Sequence, residues 1–109
     1  MTFKYLKVLK QIDKQMTAKG YKLISVTDGE DRIVSSKHTK TELYDWATQC
    51  DIGSMHYQTV YDNSKSVTFY LVYGNELYET IANAGYKNEE SGKDCDEVMN
   101  IVHSIYETA

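Results

Sequence analysis

The stretch Ser54 to Asn75, SMHYQTVYDNSKSVTFYLVYGN, constrains the fold more than any other. Two runs rich in β-branched and aromatic residues flank the polar segment Asp62-Asn63-Ser64-Lys65, the pattern of a β-hairpin. Alternation along the second run puts Val67, Phe69, Leu71 and Tyr73 on one face and Ser66, Thr68, Tyr70 and Val72 on the other. In the first run Met55, Tyr57, Thr59 and Tyr61 share a face, with His56, Gln58 and Val60 opposite. The expected register pairs Tyr61 with Val67, Thr59 with Phe69, Tyr57 with Leu71 and Met55 with Tyr73, leaving Asn63, Ser64 and Lys65 at the tip. A one-residue slip would set Gln58 against Phe69 and turn every side chain over, so the apolar face selects against it. Val60, Tyr70 and Val72 interrupt the polar face, so the strand is expected to be central, or that face partly covered or used for binding.

Around this hairpin the chain alternates between periods. Thr2 to Lys19 reads as a helix with Tyr5, Val8, Leu9, Ile12 and Met16 in one apolar stripe, closed by Gly20. Tyr21 to Thr27 reads as a strand burying Leu23 and either Ile24 or Val26; Asp28-Gly29 turns it into a short return strand, Arg32 to Ser35. Thr39-Lys40-Thr41-Glu42 has the spacing of a capping box. It opens a second helix whose buried face is Leu43, Trp46, Ala47 and Cys50 and which Gly53 stops. Beyond the hairpin, Asn75 is expected to cap a short helix with Leu77, Tyr78, Ile81 and Ala82 inward, ending at Gly85. Tyr86 to Lys93 reads as a loop. Asp94 to Glu97 reads as a second capping box before a last helix with the stripe Val98, Ile101, Val102 and Ile105. The order is αββαββαα: one α+β domain over residues 1–109, with about four antiparallel strands as two hairpins and helices on one face.

No apolar run reaches the length of a membrane span, and the opening MTFKYLKVLKQ lacks the apolar segment of an export signal. The expectation is a cytoplasmic chain, in a bacterial host cell on the resemblance given below, with two reduced cysteines and no membrane partner. Charge is uneven. Residues 1–22 carry six lysines and one acid, whereas residues 75–109 carry two basic and eight acidic residues. The ten tyrosines suit a core and its edges, or an interface, because each joins apolar area to a polar tip.

Chemistry is sparse. Cys50, His56, Cys95 and His103 lack paired metal-ligand spacing. Asp94, Asp96 and Glu97 surround Cys95 with charge that disfavours a thiolate. His38 sits in a loop and no Ser-His-Asp set can be assembled. The acidic turn Asp28 to Asp31 lacks the calcium-loop pattern, and the glycines are too scattered for a phosphate loop. The expectation is no catalytic residue, no metal and no cofactor. Three binding surfaces stand open. Glu76, Glu79, Glu89, Glu90, Asp94, Asp96 and Glu97 would form an acidic face for a basic protein surface. Lys4, Lys7, Lys10 and Lys14 would form a nucleic-acid face on the first helix. Trp46, Tyr57 and Tyr70 would line a small-ligand pocket between sheet and helices. A homodimer through a sheet edge or a tyrosine-rich face is a further expectation.

SVTDGED (Ser25 to Asp31) and LVYGNELYETIANAG (Leu71 to Gly85) resemble a pattern of small phage and prophage proteins of unknown function. In that pattern a strand ending in a Trp-Asp-Gly-Glu turn precedes a hairpin and then a Tyr-Gly-Asn, Glu, Ile, Asp-Tyr segment. The resemblance covers about residues 20–86, with Thr27 in the tryptophan position and Asn83-Ala84 departing from the Asp-Tyr end. It implies a phage origin and action inside a bacterium, and transfers no site residue. The leading expectation is a non-enzymatic interaction protein that binds and modulates or inhibits a host protein, such as an immune factor, through the acidic face.

Overall fold

The computed structural model describes residues 3–61 and 63–107; Thr2 of the expected first helix and Asp62 of the expected turn lie outside them. Helix α1 (Phe3–Ala18) leads into β1 (Tyr21–Thr27) and β2 (Arg32–Val34). Helix α2 (Lys40–Ala47), β3 (Ile52–Thr59), β4 (Ser66–Val72), β5 (Ile81–Tyr86) and α3 (Glu89–Glu107) follow. The five strands form one antiparallel sheet in the order β2-β1-β3-β4-β5. All three helices contribute to a single core against one face of it.

The stripe on α1 is buried as its spacing requires: Tyr5, Val8, Leu9, Ile12 and Met16 are at most 2 % exposed. From the sheet come Tyr21, Leu23, Val26, Met55, Tyr57, Val67, Phe69 and Leu71, and from α3 Cys95, Val98 and Val102. Burying side chains as large as Tyr57 and Phe69 contributes about 2 kcal/mol each. A register shift between Leu23 and Ser25 inserts Ile24 as a bulge, which is why Leu23 and Val26 both face the helices.

Five of the ten tyrosines are struts, their rings in or against the core and their hydroxyls tied across elements. Asp13 of α1 accepts from Tyr57 Oη (2.9 Å), Tyr44 Oη (3.2 Å) and Lys40 Nζ (2.6 Å), joining α1 to β3 and α2. Asp94 of α3 accepts from Tyr21 Oη (2.7 Å) and Lys65 Nζ (3.3 Å). Tyr5 Oη donates to Asn75 O and accepts from Gly74 N, and Tyr73 Oη donates to Ala47 O.

Several expectations are corrected. The hairpin pairs Tyr57 with Val67 and Met55 with Phe69, four residues away from the expected register. An even displacement keeps every side chain on its face, so alternation cannot tell the two registers apart. Pairing of β1 with β3 distinguishes them, because Thr59 lies opposite Tyr21 and Val60 N donates to Gly20 O. Tyr61 is left 99 % exposed in the loop. Helix α2 is closed at its start by the capping box of Thr39 and Glu42, but it ends at Ala47, so Cys50 is exposed. Gly53 belongs to β3, not to a helix stop: a Cβ there would collide with the carbonyl of Ala47 and lie 2.9 Å from that of Thr27. The expected helix from Asn75 to Gly85 is a 3-10 turn at Leu77–Glu79 followed by β5, the fifth strand. Strand β4 needs a partner on its outer edge, and Ile81 and Ala84 pair with Leu71 and Phe69 there. Helix α3 starts at Glu89 because Asn88 and Ser91 exchange side-chain bonds with each other's backbone N–H; Asp94 is therefore an interior helical residue, not a cap.

Candidate functional site: the uncovered sheet face

Strand pairing lays two rows of side chains across the face that the helices leave open. One row reads Arg32, Thr27, Ser54, Tyr70, Asn83, and the next Val34, Ser25, His56, Thr68, Gly85. Adjacent strands lie about 4.8 Å apart and the rows about 7 Å apart. Ser25, Thr27, Arg32, Ser54, His56, Thr68 and Tyr70 line a shallow groove of about 300 Å³.

The polar groups in the groove differ in how far they are occupied. Thr27 Oγ1 and Ser54 Oγ share a hydrogen bond of 2.8 Å, and His56 Nδ1 and Thr68 Oγ1 one of 2.7 Å. The imidazole is held below its ordinary value by burial first and by the nearby Arg32 charge second, so His56 is neutral at pH 7. Tyr70 is 48 % exposed and leans toward β5, where a Cβ on Gly85 would lie 3.9 Å from its ring. The Asp28 carboxylate is occupied by the N–H groups of Glu30 and Asp31, which lower its pKa, and it leaves Arg32 without an ion pair among the described residues.

The surfaces expected from sequence fare differently. Lys4, Lys7, Lys10 and Lys14 are exposed along one side of α1, a stripe about 15 Å long. Among the described residues Lys7, Lys10 and Lys14 have no acidic partner; Lys4 lies 5.1 Å from the centre of the Tyr5 ring. The seven acids do not make one face. Glu89, Glu90, Asp96 and Glu97 are exposed on α3, where Lys93 is exposed among them and Glu97 pairs with Lys19 at 2.7 Å. Asp94 is drawn in to Tyr21, and Glu76 and Glu79 belong to the turn before β5. Trp46, Tyr57 and Tyr70 do not converge on a pocket. Tyr57 is fully buried among the helices, Tyr70 is on the opposite face, and Trp46 Nε1 donates to Asp31 O.

Cys50, His56, Cys95 and His103 are likewise dispersed. His103 stacks edge-on to Tyr78, and Cys95 is buried with its thiol pushed up to about 11 by burial and then by Asp96. No group of three or more His, Cys, Asp or Glu among the described residues is arranged to hold a metal ion, and no helix among them is long and apolar enough to cross a membrane. Ser25, Thr27, Arg32 and Ser54 were not anticipated as site residues. Their one signal was the polar half of each strand's alternation, beside the His56, Thr68 and Tyr70 already assigned to the hairpin's second face.

Compared with known proteins, the chain matches no protein-family model, no curated protein and no solved structure. Strand β3 separates the segments Ser25 to Asp31 and Leu71 to Gly85, and its Ile52 lies against both. A Cβ on Gly29 would lie 2.7 Å from Ile52 Cγ1, and Ile52 pairs with Val72.

Proposed function

We propose that this chain is a non-enzymatic interaction protein that captures a protein partner on its uncovered sheet face. The observation that carries the reading is the pair of polar rows on that face, with Tyr70 standing half out of it. Exposed tyrosine beside hydroxyls and a guanidinium is the composition of contact surfaces, since it offers area and hydrogen bonds at low entropic cost. The identity of the partner as a bacterial host protein, modulated or inhibited by a phage-encoded chain, rests on the sequence resemblance. Cytoplasmic action follows from the same premise.

The test is capture from bacterial lysate by the tagged chain, with and without nuclease, against Tyr70→Ala. One protein retained in stoichiometric amount after nuclease and lost from Tyr70→Ala supports the reading. Retention that ignores Tyr70, or no retained protein, ends it.

The exposed lysine stripe on α1, where Lys7, Lys10 and Lys14 have no acidic partner among the described residues, supports a second reading as a nucleic-acid accessory protein. That reading requires nuclease-sensitive capture and salt-dependent binding that vanish when Lys4, Lys7, Lys10 and Lys14 become glutamate.

A further inference from the structure

The two edges of the sheet are not alike. Strand β2 has three residues, begins with the exposed Arg32 and runs at once into the 3-10 turn Ser35–Lys37, so that edge is short and charged. Strand β5 has six residues, Ile81–Tyr86, with no charge and no proline among them. Folded chains ordinarily protect such an edge with lysine, proline or a cover, because its outward N–H and C=O groups can pair with another strand. The bulge between β4 and β5 disturbs only its first half, before Asn83. In the second half the phase is fixed. Lys87 N donates to Ser66 O, so Gly85 and Asn83 turn their backbone groups inward to Thr68 and Tyr70. Ala84 and Tyr86 therefore turn theirs outward, and no sixth strand among the described residues receives them. The Ala84 N–H bonds instead to the Oδ1 of its own neighbour Asn83, at 2.9 Å. On the helix side Tyr86 is 57 % exposed, and a Cβ on Gly92 of α3 would lie 2.8 Å from its ring.

We propose that β5 pairs with β5 of a second copy of this chain, antiparallel about Gly85, so that one sheet runs through both copies. The outward residues lie symmetrically on either side of Gly85, so Ala84 exchanges both backbone bonds with Tyr86 of the second copy, and the reverse. On the helix side the Tyr86 ring then covers the small Ala84 opposite it. On the open side Asn83 meets Lys87 of the second copy, and Gly85 meets Gly85 with no side chain between them. Order and charge favour a second copy over a foreign segment. Strand β4 already holds β5 extended, so this pairing fixes no new backbone, whereas a loose segment would lose its freedom on binding. Glu89, Lys93 and Asp96 share the Gly92 flank of α3 by helical spacing, exposed and without an ion pair among the described residues. Antiparallel copies of that acid–base–acid flank set Lys93 against an acid of the other copy. The pairing does not depend on what the open face captures, but it joins the two open faces, with a Tyr70 on each side of the axis.

The test is sedimentation equilibrium of the full chain from micromolar to millimolar concentration, with amide hydrogen exchange at both ends of the range. The expected species at the upper end has twice the 12.5 kDa of one chain. The amides of Ala84 and Tyr86 should exchange more slowly as concentration rises, while that of Gly85, already bonded to β4, should not change. Ala84→Pro removes an outward donor at an edge position where a strand tolerates proline, and should abolish the dimer. Asn83→Lys sets lysine against Lys87 of the second copy and should weaken the dimer at least tenfold. Adding Lys87→Glu to Asn83→Lys should restore it, a readout that stands even where Ala84→Pro fails to fold. A monomer throughout the range overturns the pairing. So does a dimer indifferent to Asn83→Lys, or one that leaves the exchange of Ala84 and Tyr86 unchanged.

Discussion

Tyr57 and Tyr70 stand on neighbouring strands and carry the same side chain, but they belong to different kinds of surface. Tyr57 faces the helices with its ring fully buried and its hydroxyl on Asp13; burial first, and the Asp13 charge second, hold its phenol well above the ordinary 10.0. Tyr70 faces outward, half exposed, over a polar floor. On the covered face polar atoms close the fold, because each carboxylate there gathers donors from several elements. On the open face the hydroxyl and imidazole groups pair one to one between neighbouring strands, Thr27 with Ser54 and His56 with Thr68, and gather no carboxylate.

The largest test of this contrast is Asp13→Ala. It strands two phenol hydroxyls and a lysine at the junction of α1, α2 and β3, and is expected to destabilise the fold by about 3 kcal/mol in denaturant unfolding. Asp94→Ala removes a two-donor acceptor nearer the surface and should cost about 1.5 kcal/mol in the same measurement. A reversed order would mean that the two carboxylates do not differ as their donor counts imply. Tyr57→Phe keeps the ring and removes one of the three donors to Asp13, for a loss of about 1 kcal/mol.

His56 supplies a pH test of the open face. Its folded pKa is lowered, so between that value and about 6.5 the unfolded chain binds a proton that the folded chain refuses. Its contribution to stability is therefore present above about pH 6.5 and declines as pH falls through the folded value. Arg32→Gln should raise the His56 pKa part of the way back, since burial, the larger cause, remains; proton NMR of the ring measures it. An unchanged pKa would separate Arg32 from the groove. The smallest effect is Tyr70→Ala, expected within about 0.5 kcal/mol of wild type in the unfolding measurement, because Tyr70 closes nothing.

What the sequence disclosed follows from which interactions are local. The stripe on α1, the bounds of β1 and the Thr39–Glu42 box all arise within a few residues, and all were legible. The hairpin register was not, because it is fixed by β1, some forty residues earlier in the chain. Strand β5 was hidden for a related reason. Its residues Ile81 to Tyr86 have no strong strand preference, and only the open edge of β4 makes them one. In the candidate site, His56, Thr68 and Tyr70 could be placed on one hairpin face from alternation. Ser25 and Arg32 join them only through the pairing of β1 with β2 and β3, and the bulge at Ile24 changes the strand's phase just before Ser25.

The tyrosine struts also impose a timetable on the growing chain. Tyr21 is bonded to a carboxylate 73 residues further on, and Tyr5 reaches backbone about as distant. At a synthesis rate of about 5–20 residues per second, roughly 4–15 s pass between the emergence of Tyr21 and that of its partner. Through that interval the apolar side of α1 has only its nearer neighbours to cover it, and α3, which leaves the ribosome after α1 and α2, is the helix that completes this core.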